Sequence, residues 1–300
     1  MIVVEGLTRQ FRGGGGVHDL SFTVRPGAVT GFLGPNGAGK STAIKLMLGL
    51  LPGSGRATFG GVAYQELPDP LRTVGALVDP GAVHPARTAR AHLRMVAAGG
   101  GLPATRVGEV LDLVGLGTVA GQRVGQFSLG MRQRLGLATA LLGDPQYLIL
   151  DEPANGLDPE GVRWFRHFAQ RLAAEGRTVF ASSHLLAEMA LLAQDVIVIG
   201  GGRLLSAGSM AEFVAGHTSS TVVVRTPEAA RLAQALAGTG LPVRQPSPAV
   251  LEINTDNTDQ VGEVIAREGI PVLELFVRRS DLEEAFMAAT AHTAQHRGAL

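Results

Sequence analysis

Cysteine is absent from the 300 residues, which excludes disulfides and thiolate zinc sites and fits a reducing compartment. Net charge is absent too. The 26 Lys and Arg balance 26 Asp and Glu, so the chain as a whole exerts no pull on nucleic acid or anionic lipid. No apolar run approaches the ~20 residues that cross a bilayer. The opening MIVVEGLTRQ lacks the charged and apolar regions of a secretory leader. These absences predict a protein that is soluble, or that sits at a membrane only by binding something else. What is present is a globular composition, 45% apolar and 17% charged, with length enough for one large domain or two modest ones.

Up to about residue 215, short β-rich runs alternate with helical patterns, which predicts a sheet with helices on its faces. SFTV (21–24), AVTGFL (28–33), Val74–Val78, YLIL (147–150), TVFAS (178–182) and VIVIG (196–200) read as strands. The last three are apolar throughout and bounded by turn residues, as parallel strands covered on both faces are. Helices are expected at Lys40–Leu50, Thr88–Ala98, Ala104–Val114, Leu129–Leu142, Pro159–Ala174 and after His184.

Around AGHTSSTVVV the texture changes. A strand from Thr221, a helix over Glu228–Ala237, strands near Val243 and over Val250–Ile253, a helix over Asp259–Arg267, a strand over Val272–Val277 and a helix from Asp281 follow. That βαββαβ order resembles a ferredoxin-like split unit. It predicts a domain over 221–290, separate from a first domain over 1–215. In the tail over 291–300, His292 and His296 stand four apart. Two histidines without a third ligand make a poor metal site, so a frayed terminus is the better reading.

Gly34-Pro35-Asn36-Gly37-Ala38-Gly39-Lys40-Ser41 matches G-x-x-x-x-G-K-[ST], with a strand before it and a helix after it, the context a phosphate loop needs. Its glycines let the backbone curl until successive N–H groups point at phosphate oxygens, and the helix start adds its positive dipole end. Lys40 can reach the terminal phosphates of a nucleotide, and the Ser41 hydroxyl can ligate Mg²⁺. A metal-binding Asp should end a buried strand beside such a cradle, and Asp151 after YLIL fits. Glu152 can orient an attacking water or accept its proton.

Together these features resemble the ATP-binding subunits of ABC transporters, nearly end to end over residues 1 to about 215. GPNGAGKST (34–42) looks like their Walker A, Thr42 included, and YLILDEP (147–153) like their Walker B with its catalytic glutamate. NGLD (155–158) falls at the D-loop, SSHLL (182–186) supplies the switch histidine, FSLGMRQ (127–133) lies where the LSGGQ signature does, and VGALVD (74–79) occupies the Q-loop. The resemblance implies an α/β P-loop NTPase fold of the ABC ATPase type, with a mixed sheet core and a helical signature subdomain, followed by a small α+β ferredoxin-like domain. It implies ATP and Mg²⁺ as ligands. Lys40, Glu152 and His184 would carry hydrolysis, His184 sensing the γ-phosphate, while Ser41, Asp79 and Asp151 would hold the metal and Phe11 would stack on adenine.

In that family the signature acts in trans. The resemblance therefore implies a head-to-tail homodimer in which Ser128, Gly130 and Asp158 serve the partner's ATP. It also implies a transmembrane permease as partner, a place on the inner face of the cell membrane through that permease, and no nucleic-acid partner. Three departures stand out. Leu129 and Met131 replace the first Gly and the Gln of the standard signature; Asp79 replaces Gln; and Gly13–Gly16 follows Phe11 where a tight turn is usual, which predicts a mobile loop.

The variant SLGMRQRL, the acidic Q-loop and the C-terminal LEEAF (282–286) resemble the single-domain subunits of bacitracin- and daunorubicin-type export systems. That implies export of a hydrophobic drug or antibiotic-like compound. Two other readings stay open. One is a soluble ABC-type ATPase acting on nucleic acid or ribosomes, against which stand a single Walker A, no heptad run and balanced charge. The other is a nucleotide-gated binding module without turnover, suggested by the altered signature and Asp79.

Overall fold

The computed structural model describes residues 1–79, 81–217 and 220–279. It divides into two compact units, one over Met1–Glu212 and one beginning at Phe213. In the first, a six-stranded sheet has the order β10-β9-β3-β8-β7-β6. Its members are β3 (Val29–Leu33), β6 (Val74–Leu77), β7 (Tyr147–Leu150), β8 (Thr178–Ser183), β9 (Asp195–Gly200) and β10 (Arg203–Ser209). Every pair is parallel except β9–β10. The sheet is therefore mixed, and the carboxyl ends of its five parallel strands share one edge.

The expected strand SFTV is not in that sheet. It lies in β2 (Gly16–Val24), which pairs with β1 (Ile2–Gln10) in a second, antiparallel sheet of order β2-β1-β4-β5, completed by β4 (Ser54–Phe59) and β5 (Val62–Ala63). The two sheets share one core. Phe22 of β2, Phe32 of β3 and Phe180 of β8 bring their rings within 5.0 to 5.8 Å of one another. Ring pairs at that spacing add to the burial of their area. Gly13–Gly16 closes the β1–β2 hairpin. Gly14 N–H donates to Phe11 O at 3.0 Å and Phe11 N–H to Gly15 O at 3.2 Å.

Helices α1 (Lys40–Met47), α3 (Ala89–Gly99), α4 (Thr105–Leu113), α5 (Leu129–Leu141), α6 (Pro159–Ala174) and α7 (Leu186–Leu192) lie where the sequence predicts them, whereas α2 (Pro70–Thr73) and α8 (Met210–His217) are not among those predicted. Thr88 caps α3, accepting the Ala91 N–H. Ser128 caps α5 by accepting Met131 N–H, and Asp158 caps α6 by accepting Gly161 N–H, with Pro159 in the first turn. Such caps satisfy N–H groups that have no partner inside the helix. Helices α3, α4 and α5 pack on one another around Leu93, Val107, Leu111 and Leu135, all buried.

In the second unit, β11 (Ser220–Arg225), α9 (Ala229–Ala237), β12 (Val243–Ser247), β13 (Val250–Ile253), α10 (Thr258–Glu268) and β14 (Glu274–Arg279) follow in turn. The sheet order is β12-β13-β11-β14, antiparallel throughout, the strand order of a split βαββαβ unit. Val222 and Val224 alternate onto the face that packs with Leu232, Leu236, Leu251, Ile253 and Val261, as a period of two requires. The helix expected from Asp281, the LEEAF segment, His292 and His296 lie outside the described residues.

Candidate active site

Three neighbouring strand ends build the site. Leu33 of β3 sits in register with Ser183 of β8, and Leu150 of β7 with Ala181 of β8. The segments that follow these ends are the phosphate loop, Asp151-Glu152 and His184. Parallel sheets place ligands at this edge because all the connections leaving it are loops.

The phosphate loop leaves no room for side chains at two of its glycines. A Cβ on Gly34 would stand 2.6 Å from Ile199 O, and one on Gly39 2.9 Å from Gly16 O, where φ is +106° besides. Gly39 leads into α1, so the first helical N–H groups open on the loop. Lys40, 6% exposed, donates to Gly34 O at 2.7 Å and stands 3.3 Å from Glu152 Oε1. A cleft of about 440 Å³ is lined by Phe11, Gly14–Gly16, Pro35–Thr42, Glu152, Asn155 and His184. Phe11 is 41% exposed, with the Arg9 guanidinium 5.4 Å from its ring centroid. Thus Phe11, Pro35, Asn36, Gly37, Ala38, Gly39, Lys40, Ser41, Thr42, Glu152 and His184 are brought to one concavity, while Gly34, which precedes them in the loop, is buried and does not line it.

The adjacent carboxylates have different surroundings. Asp151 is buried and accepts the Ser182 hydroxyl at 2.6 Å. The same hydroxyl oxygen accepts the Glu152 N–H at 2.8 Å, so Ser182 fixes both residues. Glu152 adopts φ +47°, which costs a side-chain-bearing residue on the order of 1 kcal/mol. The fold holds it there. Its C=O accepts Gln133 Nε2 at 2.9 Å and Asn155 N–H at 3.1 Å. Its carboxylate meets Lys40 through Oε1 and His184 Nδ1, at 2.9 Å, through Oε2.

Sequence reading did not find Ser182, Gln133 or Asn155. Ser182 stands two residues before His184 and Asn155 opens the D-loop segment, but nothing in the pattern names their partners. Asp79, expected at the metal, does not line the cleft. It is exposed and turned onto its own loop, its Oδ1 accepting Gly81 N–H at 2.8 Å. Ser128, Gly130 and Asp158 lie away from this cleft, at the starts of α5 and α6. A Cβ on Gly130 would stand 3.0 Å from Gly156 O, so the signature turn rests against the D-loop segment.

The donor set fits Mg²⁺. Ser41 offers an exposed hydroxyl in the cleft and Asp151 a buried carboxylate just after β7, both hard oxygen donors. No group of three His, Cys, Asp or Glu among the described residues is placed to cage a metal. Mg²⁺ needs no such cage, since it keeps waters and phosphate oxygens around it.

Comparisons with known proteins identify the family. The family model described as "ABC transporter" matches residues 17–155, and one described as a domain of unknown function (DUF8746) matches residues 220–283. The uncharacterized ABC transporter ATP-binding protein YhcH of Bacillus subtilis is 34% identical over 98% of this chain and 97% of its own length. The bacitracin transport ATP-binding protein BcrA of Bacillus licheniformis is 42% identical over 68% of each chain. A solved ATP-binding subunit of an ABC transporter superposes with a TM-score of 0.64 at 25% identity, covering 72% of this chain and 92% of that one. The chain therefore belongs to the ABC transporter family, as one of its ATP-binding proteins, and its activity is the hydrolysis of ATP.

Proposed function

We propose that the chain is the ATP-hydrolysing subunit of an exporter of antibiotic-like compounds, working as a head-to-tail homodimer on the cytoplasmic face of a separate membrane permease. The observation that carries the hydrolytic part is the convergence of Lys40, Glu152 and His184 on one cleft. The export part rests on the likeness to BcrA, a bacitracin transport protein. Among the described residues no helix is long and apolar enough to cross a membrane, and the separate permease is part of the proposal.

In this reading the amides of residues 36 to 42 receive the phosphates, and Phe11 offers a π-face to adenine. Ser41 and Asp151 hold Mg²⁺, which when bound neutralises charge on the phosphate oxygens. A γ-phosphate beside Lys40 competes with Glu152 for the ammonium. Released from Lys40, Glu152 accepts a proton from the attacking water while His184 keeps its carboxylate aimed. Ser128 and Gly130 present the start of α5, and Asp158 the start of α6, to the partner's nucleotide.

Phosphate release by the purified protein, compared with Glu152→Gln, tests the chemistry. The expected result is slow basal hydrolysis in the wild type, loss of at least about 100-fold in the variant, and ATP-stabilised dimers accumulating in the variant. Equal rates remove Glu152 from the mechanism. Co-purification from membranes with a polytopic partner tests the transport role, and a protein recovered wholly without such a partner contradicts it.

A further inference from the structure

Among the described residues, only Asp19, Asp144 and Glu152 combine a side chain with positive φ. Asp reaches that region readily because its short side chain bonds to nearby backbone. Glu152 has no such recourse, since its carboxylate is engaged by Lys40 and His184. Its backbone is held from outside instead. Ser182 takes the N–H, and Gln133, from the middle of α5, reaches across to the C=O at 2.9 Å. Ser182 also serves Asp151, whereas the Gln133 amide donates to the residue 152 carbonyl.

Gln133 is 2% exposed, so its polar end is buried and needs that partner. Only the amide –NH₂ can face a carbonyl, which fixes the side chain's orientation. With Asn155 N–H on the same oxygen, both lone pairs of the Glu152 carbonyl are occupied. Turning residue 152 back to negative φ would break these bonds and swing the carboxylate away from Lys40 and His184.

We propose that Gln133 is a positioning residue for Glu152: its amide holds the left-handed peptide that aims the carboxylate into the cleft. The inference rests on the reading of Glu152 as the group that activates water. It also places the control of that group on the helix whose first turn carries Ser128 and Gly130.

Two near-isosteric variants test it. Gln133→Met keeps the length and loses the donor; Gln133→Glu keeps the shape and replaces the donor with an acceptor. Both are expected to lower kcat about 10- to 100-fold while KM for ATP and fluorescent-nucleotide affinity stay close to wild type, with Gln133→Glu at least as impaired as Gln133→Met. A packing role predicts that Gln133→Met, which fills nearly the same buried volume, keeps wild-type turnover, and that result overturns the proposal. So does a parallel loss of nucleotide binding in both variants, which would make Gln133 a folding residue. Glu152→Gln is run alongside. Full turnover in Glu152→Gln removes the underlying reading, whereas an inactive Glu152→Gln beside fully active Gln133 variants overturns the positioning role alone.

Discussion

His184 Nδ1 lies 2.9 Å from Glu152 Oε2, so the histidine beyond β8 is engaged by the carboxylate beyond β7. A neutral imidazole that donates from Nδ1 has only a lone pair at Nε2; donating from both nitrogens requires the imidazolium. The described contact therefore assigns His184 first to Glu152 and only then to a phosphate. His184→Ala is expected to lower kcat for ATP about 10- to 100-fold, because Glu152 loses one of its two side-chain anchors. ATP affinity should change much less. Steady-state kinetics paired with equilibrium nucleotide binding reads the two apart, and a variant that loses affinity while keeping kcat refutes the order of roles.

Lys40 should behave in the opposite way. It is buried, pointed back at Gly34 O, and 3.3 Å from Glu152 Oε1. A phosphate would gain its charge in a site sheltered from water, where charge-assisted bonds are strong. Lys40→Ala is expected to weaken ATP binding on the order of 100-fold. Titration with a fluorescent nucleotide measures this directly. Unchanged binding with lost turnover would place Lys40 with the catalytic groups alone.

Asp158 carries two duties that can be separated. Its Oδ1 accepts Gly161 N–H at 2.9 Å and caps α6, apart from any contact with a partner. Asp158→Ala should cost the nucleotide-free protein about 1 kcal/mol in a denaturant titration, while Asp158→Asn, which keeps a capping oxygen, should cost little. If Asn and Ala are equally stable, the cap contributes nothing. If Asn keeps stability and loses ATP-induced dimerisation, the charge itself serves the interface.

Much of this site is legible in the chain because the phosphate loop, YLIL-Asp151-Glu152 and the strand before His184 are contiguous runs, and parallel topology brings their ends to one edge. The antiparallel sheet is harder to read. The β1 alternation is interrupted by register shifts between Val4 and Leu7 and again before Arg9, and β4 begins with three exposed residues, Ser54, Gly55 and Arg56. Likewise β10 is mostly exposed, so neither shows the apolar run that marks a buried strand. The holding bonds around Glu152 leave no periodic trace. Gln133 and Ser182 lie far from it in sequence, and only folding brings their polar ends to its peptide. Asp79 shows the converse. A motif position predicts a ligand, and the fold adds a local contact the motif does not announce, the Gly81 N–H donating to Oδ1.

His92 on α3 is 9% exposed, and its Nδ1 has no hydrogen-bond partner among the described residues. Burial, and secondarily the positive charge of Arg87, lowers its pKa from the ordinary 6.5. The unfolded chain therefore takes up a proton at His92 before the native protein does. Its effect on stability is flat above 6.5 and becomes destabilising as the pH falls from there through the lowered native value, with a limiting slope of about 1.4 kcal/mol per pH unit. His92→Leu keeps the burial and removes the proton site. Denaturant titrations of the two proteins between about pH 8 and about pH 5 should show the variant gaining on the wild type only below the ordinary histidine pKa. A constant gap across that range would mean that protonation of His92 does not oppose folding.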